Sequence, residues 1–139
     1  DIPMRAPDRA TRYAVTVDDD HVEFGAASMG NPHAVIQVPD VDQAPVQTLG
    51  PRLERHELFP EGANIGFLQI LDRAHARLRV FERGAGETLA CGSGACAAMA
   101  VGRLWDRFDA KVEIQMRGGA LHLEWEGEGA SVAAREKAN

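Results

Sequence analysis

The chain has 139 residues, 45% of them hydrophobic, with Lys+Arg 15 against Asp+Glu 21 and a formal net charge of -6. That is enough for one ordinary domain with a real core, and it excludes disorder over most of the length. No Lys/Arg cluster interleaves with aromatic residues, so neither nucleic acid nor a membrane surface is the expected partner; a small, mostly polar ligand is. No apolar run approaches transmembrane length, and Asp1-Ile2-Pro3-Met4-Arg5 has no signal-peptide core, so a cytoplasmic protein is expected. The lack of a methionine at position 1 suggests processing, or a piece of something longer.

Residues 13–17 and 22–26 are short, partly alternating runs joined by Asp18-Asp19-Asp20-His21, a hairpin signal. Residues 33–38 read as a third strand, ended by Pro39-Asp40. Between positions 41 and 57 the pattern turns helical, with Val46, Leu49 and Leu53 on one face and Pro45 tolerated in a first turn. Pro51 predicts a break in that helix, or a later start. Residues 65–71 and 76–81 are predicted strands linked by Asp72-Arg73-Ala74-His75.

The second of these strands delivers the chain into Glu82-Arg83-Gly84-Ala85-Gly86-Glu87-Thr88-Leu89-Ala90-Cys91-Gly92-Ser93-Gly94, a polar, glycine-rich loop. The small and apolar run 95–105 then predicts a helix buried on most sides, ending near Phe108. Residues 111–117 and 120–125 flank Gly118-Gly119, a two-residue hairpin signature, and 133–139 read as a frayed polar end. The order predicts a single α+β domain over 1–139, a mostly antiparallel sheet wrapped around a central apolar helix.

Cys91 stands between the loop and that helix. The first amides of a helix have no intrahelical partners and the dipole adds partial positive charge, so a thiolate is favoured there; the same amides can hold a carboxylate. Cys96, flanked by alanines, reads as a buried small hydrophobe. It points to another side of the helix than Cys91, which makes a disulfide between them geometrically poor and both thiols expected to be reduced.

Gly30-Asn31-Pro32-His33 is by itself a turn into a strand, but Asn31 offers a donor and an acceptor, and His33 can bias the protonation of a nearby thiol. Glu82-Arg83 reads either as a solvated ion pair at a strand end or as a grip, with Arg83 on a carboxylate and Glu82 meeting an ammonium. Asn64 is either a turn residue or a ligand for a zwitterion. His21, His56, His75 and His122 read as surface histidines. Gly92-Ser93-Gly94-Ala95-Cys96-Ala97 fits a loose dinucleotide pattern, but a long loop precedes it and a hairpin follows, so nicotinamide binding is discounted. No phosphate-loop lysine and no zinc spacing is present, so no metal is expected.

These motifs, Met29-Gly30-Asn31-Pro32-His33, the Phe59-Pro60-Glu61 to Asn64 segment and the long cysteine loop through Ala97, resemble the C-terminal half of a diaminopimelate epimerase in order and spacing, from about Pro3 to Gly129. The resemblance implies a cofactor-independent epimerisation of LL- and meso-2,6-diaminopimelate by two cysteines, in lysine and peptidoglycan precursor synthesis. One thiolate takes the α-proton and the other thiol returns a proton to the opposite face. Cys91 would be one of the pair. Asn31, Asn64, Glu82, Arg83, Gly92 and Ser93 would contact the diamino-dicarboxylate substrate, and His33 and Glu82 would set thiol protonation.

By the same resemblance, family members are about twice this length and dimeric, and the other cysteine lies in an N-terminal domain that this sequence lacks. Cys96 cannot replace it, because an acid on the same helix cannot reach the opposite face of the same carbon. The chain alone is therefore expected to be inactive. The tail from Ser131 to Asn139 does not resemble the family's closing strands. A proline or hydroxyproline racemase, and a non-catalytic binding domain with a vestigial Cys91, are the alternatives.

Overall fold

The computed structural model describes residues 12–89 and 92–125 and the backbone of 133–136. Strand β1 (Tyr13–Val17) turns into β2 (Asp20–Ser28) through Asp18 and Asp19, both at positive φ (47° and 73°). A two-residue hairpin needs that pair of left-handed residues, and Asp tolerates the conformation better than most. The first part of β2 pairs with β1 and the second part with β3 (Pro32–Gln37), both antiparallel. Gly25 sits at the change of partner, where a Cβ would run into Val101 and Trp105.

From β3 the chain crosses over through a 3-10 turn (Val41–Gln43) and helix α1 (Val46–Glu54) to β4 (Asn64–Asp72), which lies parallel to β3. The strand β5 (His75–Glu82) returns antiparallel, with the short β6 (Gly86–Thr88) hydrogen-bonded beside its end. Helix α2 (Gly92–Leu104) makes the second crossover, to β7 (Lys111–Met116) parallel to β5; β8 (Gly119–Glu124) and β9 (Ala133–Glu136) complete the sheet. The described strands thus run β1-β2-β3-β4-β5-β7-β8-β9, antiparallel but for the two crossover pairs.

Side chains alternate between two faces, each with its own core. Val35, Leu68, Leu78, Val80, Val112 and Ile114 pack against α2, whose buried residues are mostly alanine and glycine. Small residues let the sheet wrap close to the helix, as the α+β reading expects. On the other face Phe24, Ile36, Ile65 and Phe67 meet Val46, Leu49 and Leu53 of α1.

Several boundaries depart from the sequence reading. The β7–β8 turn is Arg117-Gly118, with Met116 paired to Gly119, one position before the expected Gly118-Gly119. Helix α1 continues through Pro51, with Pro45 as its N-cap. A proline there removes one donor, and in a helix that stops at Glu54 the tertiary contacts of Leu49 and Leu53 outweigh that loss. Helix α2 ends at Leu104, short of Phe108: Asp106 at φ 57° donates to the Arg103 carbonyl at 3.0 Å, and Arg107 to that of Gly102 at 2.9 Å, which is the Schellman pattern with aspartate in the usual glycine place. The strand β6 was not expected within the loop. Residues 133–136 form β9 against β8, where a frayed end was predicted.

Candidate functional site

The site residues expected from the sequence that lie among the described residues gather at one end of the sheet. His33 pairs with Asn64 across parallel strands that both start here, and Ile65 pairs with Phe81, which brings Glu82, the last residue of β5, alongside Asn64. Alternation puts all three on the face of Val35 and Val80, the α2 side. Helix α2 begins at this same end. The carbonyl of Leu89 accepts from Gly118 N at 2.7 Å in the β7–β8 turn, β7 runs parallel to β5, and Gly92 follows only three residues later.

His33 and Asn64, 1% and 4% exposed, are the two buried polar side chains among the described residues of the core. Asn64 Oδ1 accepts from the backbone N–H of Arg83 at 2.7 Å. Its Nδ2 lies 3.5 Å from His33 Nε2, and Asn31 Oδ1 lies 3.3 Å from that same nitrogen. Burial drives the His33 pKa down to about 4, against an opposing pull from the Glu82 carboxylate, so the ring is neutral at neutral pH.

Arg83 is held on its turn by the backbone. Its Nη1 donates to the Glu61 carbonyl at 2.8 Å, and its stem lies across Gly62, where a Cβ would stand 2.8 Å from Arg83 Cδ. Gly84 N donates to Glu54 Oε1 at 3.1 Å, tying the loop to the end of α1. Glu82 and Arg83 therefore do not form the simple solvated pair that their adjacency suggested: Arg83 is anchored on Glu61, while Glu82 faces His33.

The loop is fixed from the opposite face by Glu87, which accepts from Arg79 and from Gln47 of α1. These bonds hold the Glu87 carboxyl below its usual range and raise Arg79. Thr88, paired with Val80, turns the other way, and its buried hydroxyl has no hydrogen-bond partner among the described residues.

The structure thus joins Asn31, His33, Asn64 and Arg83 in one chain of contacts, with Glu82 in their row. Gly92 and Ser93 open α2 at the same end of the sheet. Cys91 lies outside the described residues. Cys96 is partly buried against the α2 core. Sequence reasoning missed Glu54, Glu61, Gly62, Arg79, Glu87 and Thr88. A faint signal existed for Glu87, an acidic residue inside a glycine-rich loop five residues after the end of β5.

The remaining histidines are not all bare surface groups. His56 bridges α1 to the Thr16 carbonyl at 3.2 Å, His75 pairs with Asp72 at 2.9 Å, and His122 lies 3.3 Å from Glu113. No group of His, Cys, Asp and Glu suited to a metal ion occurs among the described residues, nor does any helix long and apolar enough to cross a membrane.

A family model described as diaminopimelate epimerase matches residues 25–138. The chain belongs to the diaminopimelate epimerase family. That match runs to residue 138, so the tail expected to diverge from the epimerases after Gly129 lies within the family's extent. Among curated relatives, the diaminopimelate epimerase of Alkalilimnicola ehrlichii is 55% identical over 131 residues, covering 94% of this chain and 47% of its own length. That of Ectopseudomonas mendocina is also 55% identical, with 94% and 48% covered. The chain spans about half the length of the curated epimerases it matches.

Among solved structures, a hydroxyproline epimerase from Agrobacterium vitis, with bound trans-4-OH-L-proline, superposes with a TM-score of 0.61 at 15% identity, covering 88% of this chain and 44% of that one. A phenazine biosynthesis protein of the PhzF family from Bacillus anthracis gives 0.56 at 19% identity, over 88% and 39%. At such identities the likeness concerns the fold: the α+β, diaminopimelate-epimerase-like architecture is the one this family chain adopts.

Proposed function

We propose that residues 1–139 are one domain equivalent to the C-terminal half of a two-domain diaminopimelate epimerase, and carry half of a proton-transfer site for LL- and meso-2,6-diaminopimelate. The observation that supports this most is the convergence of Asn31, His33, Asn64, Glu82 and Arg83 on the sheet end where α2 begins, in a chain that covers about half of its curated relatives.

In this reading Cys91 as thiolate removes the α-proton from one face of the substrate, the electron pair stays on the α-carbon next to the carboxylate, and a thiol from the complementary half protonates the opposite face. The configuration inverts, and the two sulfurs exchange protonation states with no net gain or loss of protons. An amino-acid α-proton is very weakly acidic, so the site must exclude water and set fixed dipoles against the carbanion. The amides of Gly92 and Ser93 at the head of α2 hold the reacting carboxylate. Arg83, anchored on Glu61, grips the distal carboxylate, with Asn31 and Asn64 as amide contacts, and Glu82 meets an ammonium. His33 and Glu82 set the protonation of the thiol. No organic cofactor takes part. The natural setting is cytoplasmic lysine and peptidoglycan precursor synthesis, by homodimers of the full-length enzyme.

The test is LL-to-meso conversion and solvent α-hydrogen exchange, measured for this chain alone and with a complementary N-terminal half supplied. Activity restored by the second half and abolished by Cys91→Ala supports the reading; robust turnover by the chain alone sinks it. The anchored Arg83 favours diaminopimelate over proline, which has no distal carboxylate to grip.

A further inference from the structure

Two contacts make opposite demands on one nitrogen. Asn31 Oδ1, 3.3 Å from His33 Nε2, needs a proton on that nitrogen, whereas Asn64 Nδ2, 3.5 Å away, needs a lone pair there. The two amides differ in freedom. Oxygen and nitrogen of a side-chain amide are interchangeable in shape, and only the surrounding hydrogen bonds decide between them.

Asn64 is decided. Arg83 N–H can only donate, so the atom that meets it at 2.7 Å must be Oδ1, and the NH2 of the same amide must turn toward His33. Asn31 lies in the turn before β3, half-buried, and no second side-chain bond among those described fixes its orientation. Its amide can turn over and present its own NH2 to the ring at no steric cost. Both amides then donate to one lone pair, and the conflict disappears.

We propose that Asn64 is a positioning residue that fixes neutral His33 as the Nδ1–H tautomer, so that the register of Arg83 at the end of β5 dictates which ring nitrogen carries the proton. This rests on the proton-transfer reading only for its consequence. The ring then offers an N–H donor at Nδ1, able to stabilise a thiolate or carboxylate, and it has no basic nitrogen free to take a proton from the thiol, since Nε2 is engaged by the asparagines. A neutral ring in a site this buried makes the tautomer, rather than the charge, the variable that matters.

The experiment reads the ring nitrogens of His33 by two-bond 1H–15N correlation in the isotope-labelled chain, without substrate or turnover, so its outcome is separate from that of the activity assay. The wild type is expected to show Nδ1 protonated and Nε2 bare by about fivefold, the ratio that one net hydrogen bond supports. Asn64→Asp keeps an acceptor for Arg83 N–H but replaces the NH2 by oxygen, and should invert the populations to Nε2–H. Asn31→Ala should leave Nδ1–H in place. A wild-type ring protonated at Nε2, an N64D ring still protonated at Nδ1, or an N31A ring that switches would each overturn the assignment. Should N64D fail to fold, the wild-type and N31A spectra still decide.

Discussion

Arg79 meets Glu87 through two hydrogen bonds of 2.7 Å, Nε to Oε2 and Nη2 to Oε1, with both side chains only 10% exposed. The pair clamps β6 to β5 from the α1 face, and Gln47 and the Val41 carbonyl complete it. Three residues of strand could not hold a glycine-rich loop in place unaided. The bidentate pair does so on the side away from the candidate site, which leaves the α2 face of the loop to Thr88.

Breaking this clamp from one side should be expensive. Arg79→Met leaves Glu87 partly buried with Gln47 and a more distant Arg117 at 3.6 Å, and a loss of about 2–4 kcal/mol is expected for one partner of a largely buried pair. Arg79→Met combined with Glu87→Gln should recover part of that loss, because no uncompensated charge remains. Urea unfolding of the three variants measures it. A cost below about 0.5 kcal/mol, typical of surface pairs, would show the clamp to be ornamental.

Thr88 should behave the opposite way. Its Oγ1 is buried without a partner among the described residues, and an unmade buried hydrogen bond costs about 1–3 kcal/mol. Thr88→Val, nearly the same shape, is expected to leave stability unchanged or to raise it by about 1 kcal/mol, against the usual trend for substitutions beside a core. Thermal melts of the chain settle the sign. A clear destabilisation would mean that the hydroxyl has a partner in solution.

His33 gives stability a defined acid limb. Its folded pKa of about 4 lies below the ordinary 6.5, so as pH falls the unfolded chain binds the proton first. The contribution is therefore complete above pH 6.5, is lost progressively between 6.5 and 4, and levels off below that; its full size is about 3 kcal/mol. The difference between wild type and His33→Gln, which cannot protonate, isolates this limb from the other histidines. Parallel pH profiles for the two would refute it.

Much of this was legible in the residues. The run Asp18-Asp19-Asp20-His21 and the pair Gly118-Gly119 announce hairpins, whose two-residue turns fall at Asp18-Asp19 and, one position early, at Arg117-Gly118, and the alanine-rich run after Gly94 announces a helix that a sheet must approach closely. Asn31, His33, Asn64, Glu82 and Arg83 were each ambiguous singly, and only non-local strand pairing put them in one row. Other features carried no local signal. β6 is too short for periodicity, and β9 draws its order from pairing with β8 rather than from β-branched residues. Asp106 ends α2 in a position where sequence reasoning looks for glycine. The partners of Glu87 lie 8 and 40 residues away, a separation at which adjacency in sequence says nothing.

Two glycines separate backbone strain from the placement of Arg83. Gly62 and Gly84 have the same φ of 78°, but a Cβ on Gly62 would stand 2.8 Å from Arg83 Cδ, while one on Gly84 meets nothing within 4 Å. Alanine at either position carries the left-handed penalty of about 1–2 kcal/mol. Only Gly62→Ala must also push the Arg83 stem off its turn and disturb the bond to the Glu61 carbonyl. Both variants should therefore lose similar stability, with Gly62→Ala somewhat worse. In the two-half enzyme only Gly62→Ala should weaken substrate binding, raising KM by about tenfold, as expected when a charged hydrogen bond to a carboxylate is misplaced. Denaturant midpoints together with KM and kcat for the pair measure the separation. Equal KM values for the two variants would mean that Arg83 does not depend on Gly62 for its grip.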